Sequence, residues 1–308
     1  MILHSLKSGF AQVRANKRMV AVFYLANLCF GLLLLLPLRS ILKSFAGNSQ
    51  MAAKLGGPLD MDFLIEFFKY TDGVVPAFMG LILIVPAANW LFTLLLSGGA
   101  FATFAGGEKY NAAFFWGNSA KYFGRFVRLT LWSLPVFAVL FCLQYLETGV
   151  QRLIFGSDPY QNLTYWGGWI KIGLRQIGFL LFAMILDYAR IHAVLTDERK
   201  MRTSLLQGLK FVFGNFLYTF GLALLLLLVG AVALVIYNPI ANSLAAPNAL
   251  IVIMLFVWQQ VYMVFRTLLR LTTYASQLDL YHQRAGEPAP AAITSTGEQP
   301  MEGLAPAA

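Results

Sequence analysis

Six stretches of the chain are almost continuously apolar, and each is long enough to cross a bilayer as a helix. A helix rises about 1.5 Å per residue, so about 20 apolar residues cover a hydrocarbon core of about 30 Å. The pattern predicts an all-α polytopic membrane bundle. Its six transmembrane helices are expected near residues 19–38, 74–104, 129–146, 173–195, 211–237 and 249–271.

Two segments outside these spans have patterns of their own. Residues 60–72 place apolar side chains at helical spacing with charges between them, which predicts a short helix lying on the membrane surface. From residue 285 onward the chain is rich in Ala, Pro, Gly, Thr and Glu, a composition that cannot bury a core. We therefore expect a membrane domain over residues 1–284 and a disordered tail over 285–308.

Composition agrees with the membrane class, since 58% of the residues are hydrophobic and only 12% are charged. The net charge of +9 does not indicate nucleic-acid binding, because the positive residues lie mostly in short segments between apolar spans and form no basic binding motif. Of the 23 Lys and Arg, 16 fall on the side that carries both chain ends and 7 on the other. The positive-inside rule then predicts a multi-pass protein with both termini in the cytoplasm.

Cofactor and catalytic signatures are missing from the sequence. Cys29 and Cys142 fall inside apolar spans, and no Cys/His cluster has metal-ligand spacing. There is no zinc-protease motif, nucleophile elbow or phosphate-binding loop. The sequence thus predicts a protein that is not an enzyme and holds no metal or other cofactor.

A weak internal repeat relates three parts of the chain. At a shift of 89 residues, Lys121-Tyr122 aligns with Lys210-Phe211, and Thr130 aligns with Thr219. A fainter echo sets Gly9 against Gly208 and Asn16 against Asn215. The pattern predicts three two-helix units, each with a short amphipathic helix, a span out and a span back.

Ionisable residues inside apolar spans are costly, so each one marks a partner or a function. Asp187 lies in the fourth span, and Arg266 and Arg270 lie in the sixth. We predict an Asp187–Arg266 ion pair beside the small residues Gly98 and Gly99. Arg190, almost one turn from Asp187, is the alternative partner. Such a pair either locks two spans together or takes part in a proton or substrate relay; Arg190 and Arg270 can also reach lipid phosphates.

Polar side chains near the middle of three spans indicate a cavity. Amides in a bundle bond between helices or line a substrate cavity, and a proline frees a backbone carbonyl. The residues concerned are Asn27, Pro86, Asn89, Gln259, Gln260 and Tyr262.

One stretch resembles known proteins. It contains Asp187-Tyr188-Ala189-Arg190, Val194, Asp197-Glu198, Ser204-Leu205, Gly208 and Asn215. Here the chain resembles a diffuse group of largely uncharacterised bacterial multi-pass membrane proteins, which includes the membrane domain of some glycerophosphodiester phosphodiesterases. The chain has no soluble phosphodiesterase domain, so that activity is not implied. The resemblance implies a bacterial inner-membrane protein.

Two functions fit these observations. The first is a non-enzymatic membrane component that packs with the lipid bilayer, with a membrane-protein partner or with further copies of itself. The second is a small transporter or permease with a midplane cavity. A lipid-modifying enzyme ranks behind both, because no nucleophile and base are visible.

Overall fold

The computed structural model describes residues 1–47, 61, 65, 67, 69, 74–107, 109–156, 160–243 and 248–285. The elements within these ranges are helical, in agreement with an all-α fold. In chain order they are α1 (Ile2–Ala15), α2 (Lys17–Ala46), α3 (Val74–Gly106), α4 (Ala112–Phe141), a 3-10 turn (Cys142–Gln144), α5 (Tyr145–Phe155), α6 (Gln161–Leu195), α7 (Met201–Gly214), α8 (Phe216–Ser243) and α9 (Ala249–Ala285).

Six of the described helical segments are long and apolar enough to cross a membrane, as the sequence predicts. The chain is therefore a multi-pass membrane protein. Three of its helices extend well beyond the predicted spans: α4 begins at Ala112, α6 begins at Gln161 and α9 ends at Ala285. The surface helix expected at 60–72 and the tail at 285–308 lie outside the described residues, apart from four isolated positions in the former and Ala285.

The helices fall into three units of similar plan. A short helix, or the first part of a longer one, precedes a span that leaves one face of the bundle, and a second span returns to that face. Because α1, α7 and the end of α9 lie at this face, we call it the α1 side. The units are α1–α2–α3, then α4–α5–α6, then α7–α8–α9.

Each unit begins by packing tightly on the returning helix of another unit. Gly208 of α7 lies against Ala189 of α6, and Gly9 of α1 lies against Ser276 of α9. The third such contact places Gly99 of α3 against Ser119 of α4. Ser119 and Gly208 are 89 residues apart, which is the shift of the sequence repeat. The contacts link α3 to α4, α6 to α7 and α9 back to α1, so the three units form a closed ring.

Two asparagines separate a short helix from the span that follows it. Asn16 ends α1 and Asn215 ends α7, with φ/ψ of −111°/46° and −121°/34°. Each side-chain amide donates to the carbonyl four residues earlier, at 2.9 Å for Asn16 and 3.4 Å for Asn215. The second unit has Arg125 at the position 90 residues before Asn215, and there α4 continues without a break. A short amide can bond back to its own helix and compete with helix propagation. The Arg125 side chain bonds elsewhere, to the Asp197 carboxylate at 2.7 Å.

The core lies at the α1-side half of the bundle, where α3, α6 and α9 contact one another. Phe101, Tyr188 and Leu271 are fully buried there. In the other half, apolar side chains such as Leu83 and Val235 are 73% and 69% exposed. Exposed apolar residues on a membrane helix face the acyl chains. The bundle is thus tightly packed at the α1 side and largely lipid-facing at the other.

Candidate functional site

A cavity of about 380 Å³ opens between α2, α3 and α9. It is large enough for a small ligand or a lipid headgroup. We call it the α2–α3–α9 cavity. Its lining residues are Asn27, Phe30, Gly31 and Leu34 of α2, Val85, Pro86 and Asn89 of α3, and Met263, Arg266, Thr267 and Arg270 of α9.

The depth of this cavity can be measured along α3 and α9 from the Gly99–Ser119 and Gly9–Ser276 contacts, which lie at the layer of the short helices. Asn89 lies ten residues before Gly99, and Arg266 lies ten residues before Ser276. At about 1.5 Å per residue, both are about 15 Å from the layer of the short helices. Arg266 therefore lies inside the membrane-spanning part of α9.

The charges around the cavity are positive. The Arg270 Nε donates to the Tyr274 hydroxyl at 3.1 Å, and the Thr267 hydroxyl donates to the Met263 carbonyl at 2.9 Å. Arg266 makes no ion pair with any carboxylate in the described part of the chain. Among the described residues, the lining contains two guanidinium groups and two amides but no acid. This arrangement can bind an anion, because guanidinium and amide N–H groups bind phosphate and carboxylate oxygens.

Three of the predicted cavity residues line this cavity, namely Asn27, Pro86 and Asn89, while the remaining three lie elsewhere. Gln260 accepts a hydrogen bond from the Tyr24 hydroxyl at 2.9 Å, which links α9 to α2. Gln259 is exposed. Tyr262 stacks on Tyr237 of α8, with ring centroids 4.5 Å apart.

The intramembrane acid pairs with its alternative partner. The Asp187 Oδ1 lies 3.0 Å from an Arg190 terminal nitrogen, and the two side chains are only 14% and 10% exposed. Arg270 interacts electrostatically with Asp187, and the Gln277 side chain lies near the same carboxylate. These contacts join α6 to α9.

Asp187 does not pair with Arg266 because the two lie at different depths. Asp187 is two residues from Ala189, whereas Arg266 is ten residues from Ser276. Ala189 and Ser276 are the residues of α6 and α9 that contact Gly208 and Gly9. Measured along each helix from these contacts, the depths of Asp187 and Arg266 differ by about 12 Å. The sequence estimate took residue 271 as the end of the sixth span, but α9 continues to Ala285.

The small residues of α3 pack against α4 and not beside an ion pair. A Cβ added to Gly98 would lie 3.0 Å from the Tyr122 Cβ. A Cβ added to Gly99 would lie 2.6 Å from the Phe115 carbonyl oxygen. Gly98 and Gly99 therefore allow close helix packing, as expected, but with a different neighbour from the one predicted.

The sequence analysis does not include Arg266 and Arg270 among the predicted cavity residues. Arg266 and Arg270 are four residues apart, as are Asn27 and Gly31, and such pairs lie on one face of a helix. This spacing could have placed both arginines opposite the amides.

Comparison with family models, with curated proteins and with solved structures finds no match.

Proposed function

We propose that this protein is a non-enzymatic membrane component that binds the acidic headgroup of an anionic amphiphile in the α2–α3–α9 cavity. The observation that carries the proposal is the position of Arg266 and Arg270, which line the cavity together with Asn27 and Asn89. An arginine deep in a bilayer without an acidic partner is costly unless a ligand, water or lipid headgroup compensates it. A bound phosphate or carboxylate supplies that compensation.

The cavity changes from polar to apolar along its length, and this favours an amphiphile over a small solute. On α9, Arg270 is closest to the α1 side, Arg266 is deeper and Met263 is deeper still. On α2, Asn27 likewise precedes Leu34 in depth. A molecule with its acidic head toward the α1 side and its chain toward the bilayer centre matches this order.

The orientation and location belong to the same proposal. The α1 side carries most of the Lys and Arg residues, which supports a cytoplasmic location for that side. The resemblance around Asp187 supports a bacterial inner membrane. The amphiphile would then be a lipid of the cytoplasmic leaflet.

Native mass spectrometry of protein extracted from nanodiscs containing phosphatidylglycerol and phosphatidylcholine tests this function. We expect the wild type to retain phosphatidylglycerol preferentially and Arg266→Gln to lose at least one bound molecule. Arg175→Gln serves as the control, because Arg175 is an exposed arginine of α6 that does not line the cavity. Equal retention by the wild type and Arg266→Gln would refute the proposal.

A small anion transporter is the second candidate, supported by the depth of the cavity and by Pro86 within α3. Proline removes one backbone hydrogen bond and allows a helix to bend. This function predicts uptake of an anion into proteoliposomes that Arg266→Gln abolishes. Lipid retention without any such uptake would favour the first function.

A further inference from the structure

A second cavity of about 360 Å³ lies on the α1 side, between α4 and the start of α7. We call it the basic pocket. It is separate from the α2–α3–α9 cavity and shares no lining residue with it. Its lining residues are Arg128 and Trp132 of α4, Arg199 and Lys200 of the α6–α7 connection, and Met201, Arg202 and Thr203 of α7.

Two acids, Asp197 and Glu198, precede the pocket residues in the α6–α7 connection, and neither lines the pocket. Asp197 pairs with Lys121 at 3.0 Å and with Arg125 at 2.7 Å. The Glu198 side chain accepts the backbone N–H of Lys200 at 2.8 Å. No carboxylate of the described residues lines the basic pocket. The four cations of the pocket therefore surround a volume that is strongly favourable for an anion.

Aromatic packing holds one of these cations in place. The Arg202 guanidinium carbon lies 3.6 Å from the centroid of the Trp132 ring, a cation–π contact. Arg128 donates through Nε to the Gly124 carbonyl at 3.2 Å, which fixes its side chain on α4. Holding both guanidinium groups in advance lowers the entropy cost of binding.

The surroundings of the pocket are those of a membrane interface. Trp132 is 44% exposed, and its α4 neighbours Leu131 and Leu134 are 60% and 53% exposed. Tryptophan is enriched at the headgroup level of a bilayer. The first residues of α7 also line the pocket, so the positive end of that helix adds to the attraction for an anion.

We infer that the basic pocket binds a phosphate group presented by an anionic phospholipid of the α1-side leaflet. Basic pockets beside membrane helices recognise lipid phosphates in this way. A soluble phosphate ester has the same phosphate group. Only a lipid also has acyl chains, which can pack along α4 against the exposed apolar side chains beside Trp132.

The test compares the wild type with Arg199→Gln and Arg202→Gln in nanodiscs of phosphatidylcholine with or without phosphatidylglycerol. Lys210→Gln is the control, because Lys210 is an exposed cation of α7 outside the pocket. Arg199→Gln is the variant least expected to disturb folding, since Arg199 is exposed and makes no ion pair with a described residue.

We expect phosphatidylglycerol to raise the thermal midpoint of the wild type and of Lys210→Gln. Binding by Arg199→Gln and Arg202→Gln, read by lipid titration, should weaken about tenfold, the loss of about 1.4 kcal/mol that one charge-assisted contact provides. Equal lipid binding by all four proteins would overturn the inference. Stabilisation of the wild type by inorganic phosphate or glycerol phosphate, with none from phosphatidylglycerol, would overturn the lipid source.

Discussion

Gly208 of α7 lies so close to Ala189 of α6 that a Cβ added to it would be 2.8 Å from the Ala189 backbone nitrogen. Gly9 has the same relationship to Ser276, where the corresponding distance to the backbone nitrogen is 2.7 Å. A backbone cannot move aside as a flexible side chain can. Close approach through small residues is a principal source of helix association in membranes, where apolar burial contributes little.

Gly208→Ala should destabilise the protein by about 1–3 kcal/mol, the range for overpacking in a well-packed interior. Gly214→Ala is the matched control on the same helix, because a Cβ there meets nothing within 4 Å. Alanine is the better helix former by about 1 kcal/mol, so the control should be neutral or stabilising. Thermal unfolding in one detergent compares the two. A Gly208→Ala variant as stable as Gly214→Ala would contradict the packing described.

Asp187→Asn should lower the stability by about 3–5 kcal/mol, because it leaves Arg190 buried without its acid. The double variant Asp187→Asn/Arg190→Gln should recover part of that loss, since it removes both charges. Unfolding followed by circular dichroism in detergent measures all three proteins. If Asp187→Asn abolishes a transport or binding activity at unchanged stability, a relay replaces the structural role.

Tyr24→Phe tests the link between α2 and α9. It removes the donor to Gln260 and should cost about 0.6 kcal/mol, the average for hydrogen bonds between membrane helices. Tyr237→Phe is the control, since Tyr237 contacts Tyr262 through its ring and the phenylalanine keeps that stacking. A double-mutant cycle with Gln260→Leu isolates the bond. Additive effects of Tyr24→Phe and Gln260→Leu would mean that the two residues do not interact.

Asp197 gives the connection between α6 and α7 a pH dependence. Burial acts to raise the pKa of Asp197, but hydrogen bonds and charges from Lys121 and Arg125 outweigh it, and the pKa lies below its ordinary 3.8. The stabilisation is therefore complete above the unfolded-state pKa and is lost as the pH falls through the lower folded-state pKa. Because the side chain is 52% exposed, the effect is small.

The measurement compares the wild type with Asp197→Asn over a range of pH. The variant should be less stable than the wild type at pH 7, and the difference should vanish as the pH falls below 3.8. Arg125→Gln should show the same loss at pH 7. A difference between wild type and Asp197→Asn that stays constant with pH would contradict an ionised Asp197 as its source.

The spans could be predicted because apolar length alone determines which segments cross a membrane. The three units, but not their closure into a ring, could be predicted from Gly208, Gly9 and Asn215, where the backbone requires small or amide residues at equivalent places. The relative depths of Asp187 and Arg266 along their helices were harder to predict. Both α6 and α9 continue past their apolar stretches, and hydropathy does not show where a polar helix ends.

The cavity was partly predictable for the same reason. Asn27, Pro86 and Asn89 are unusual within apolar spans, so they identified a polar site. Gln260 is equally polar but bonds to Tyr24 instead. Composition cannot tell an amide that bonds to a neighbouring helix from one that faces a cavity. That distinction depends on the rotation of each helix, which the neighbouring side chains set.

The closure of α1 on α9 constrains how the protein can be made. The Ser8 hydroxyl bonds to Asp279 at 3.3 Å, a contact that spans 271 residues. A ribosome adds residues from the N-terminus, so α1 is synthesised well before its binding surface on α9. Until α9 is made, Gly9 and Ser8 of α1 lack their partners Ser276 and Asp279. The contact between α1 and α9 therefore forms only after the three units of the ring have been synthesised.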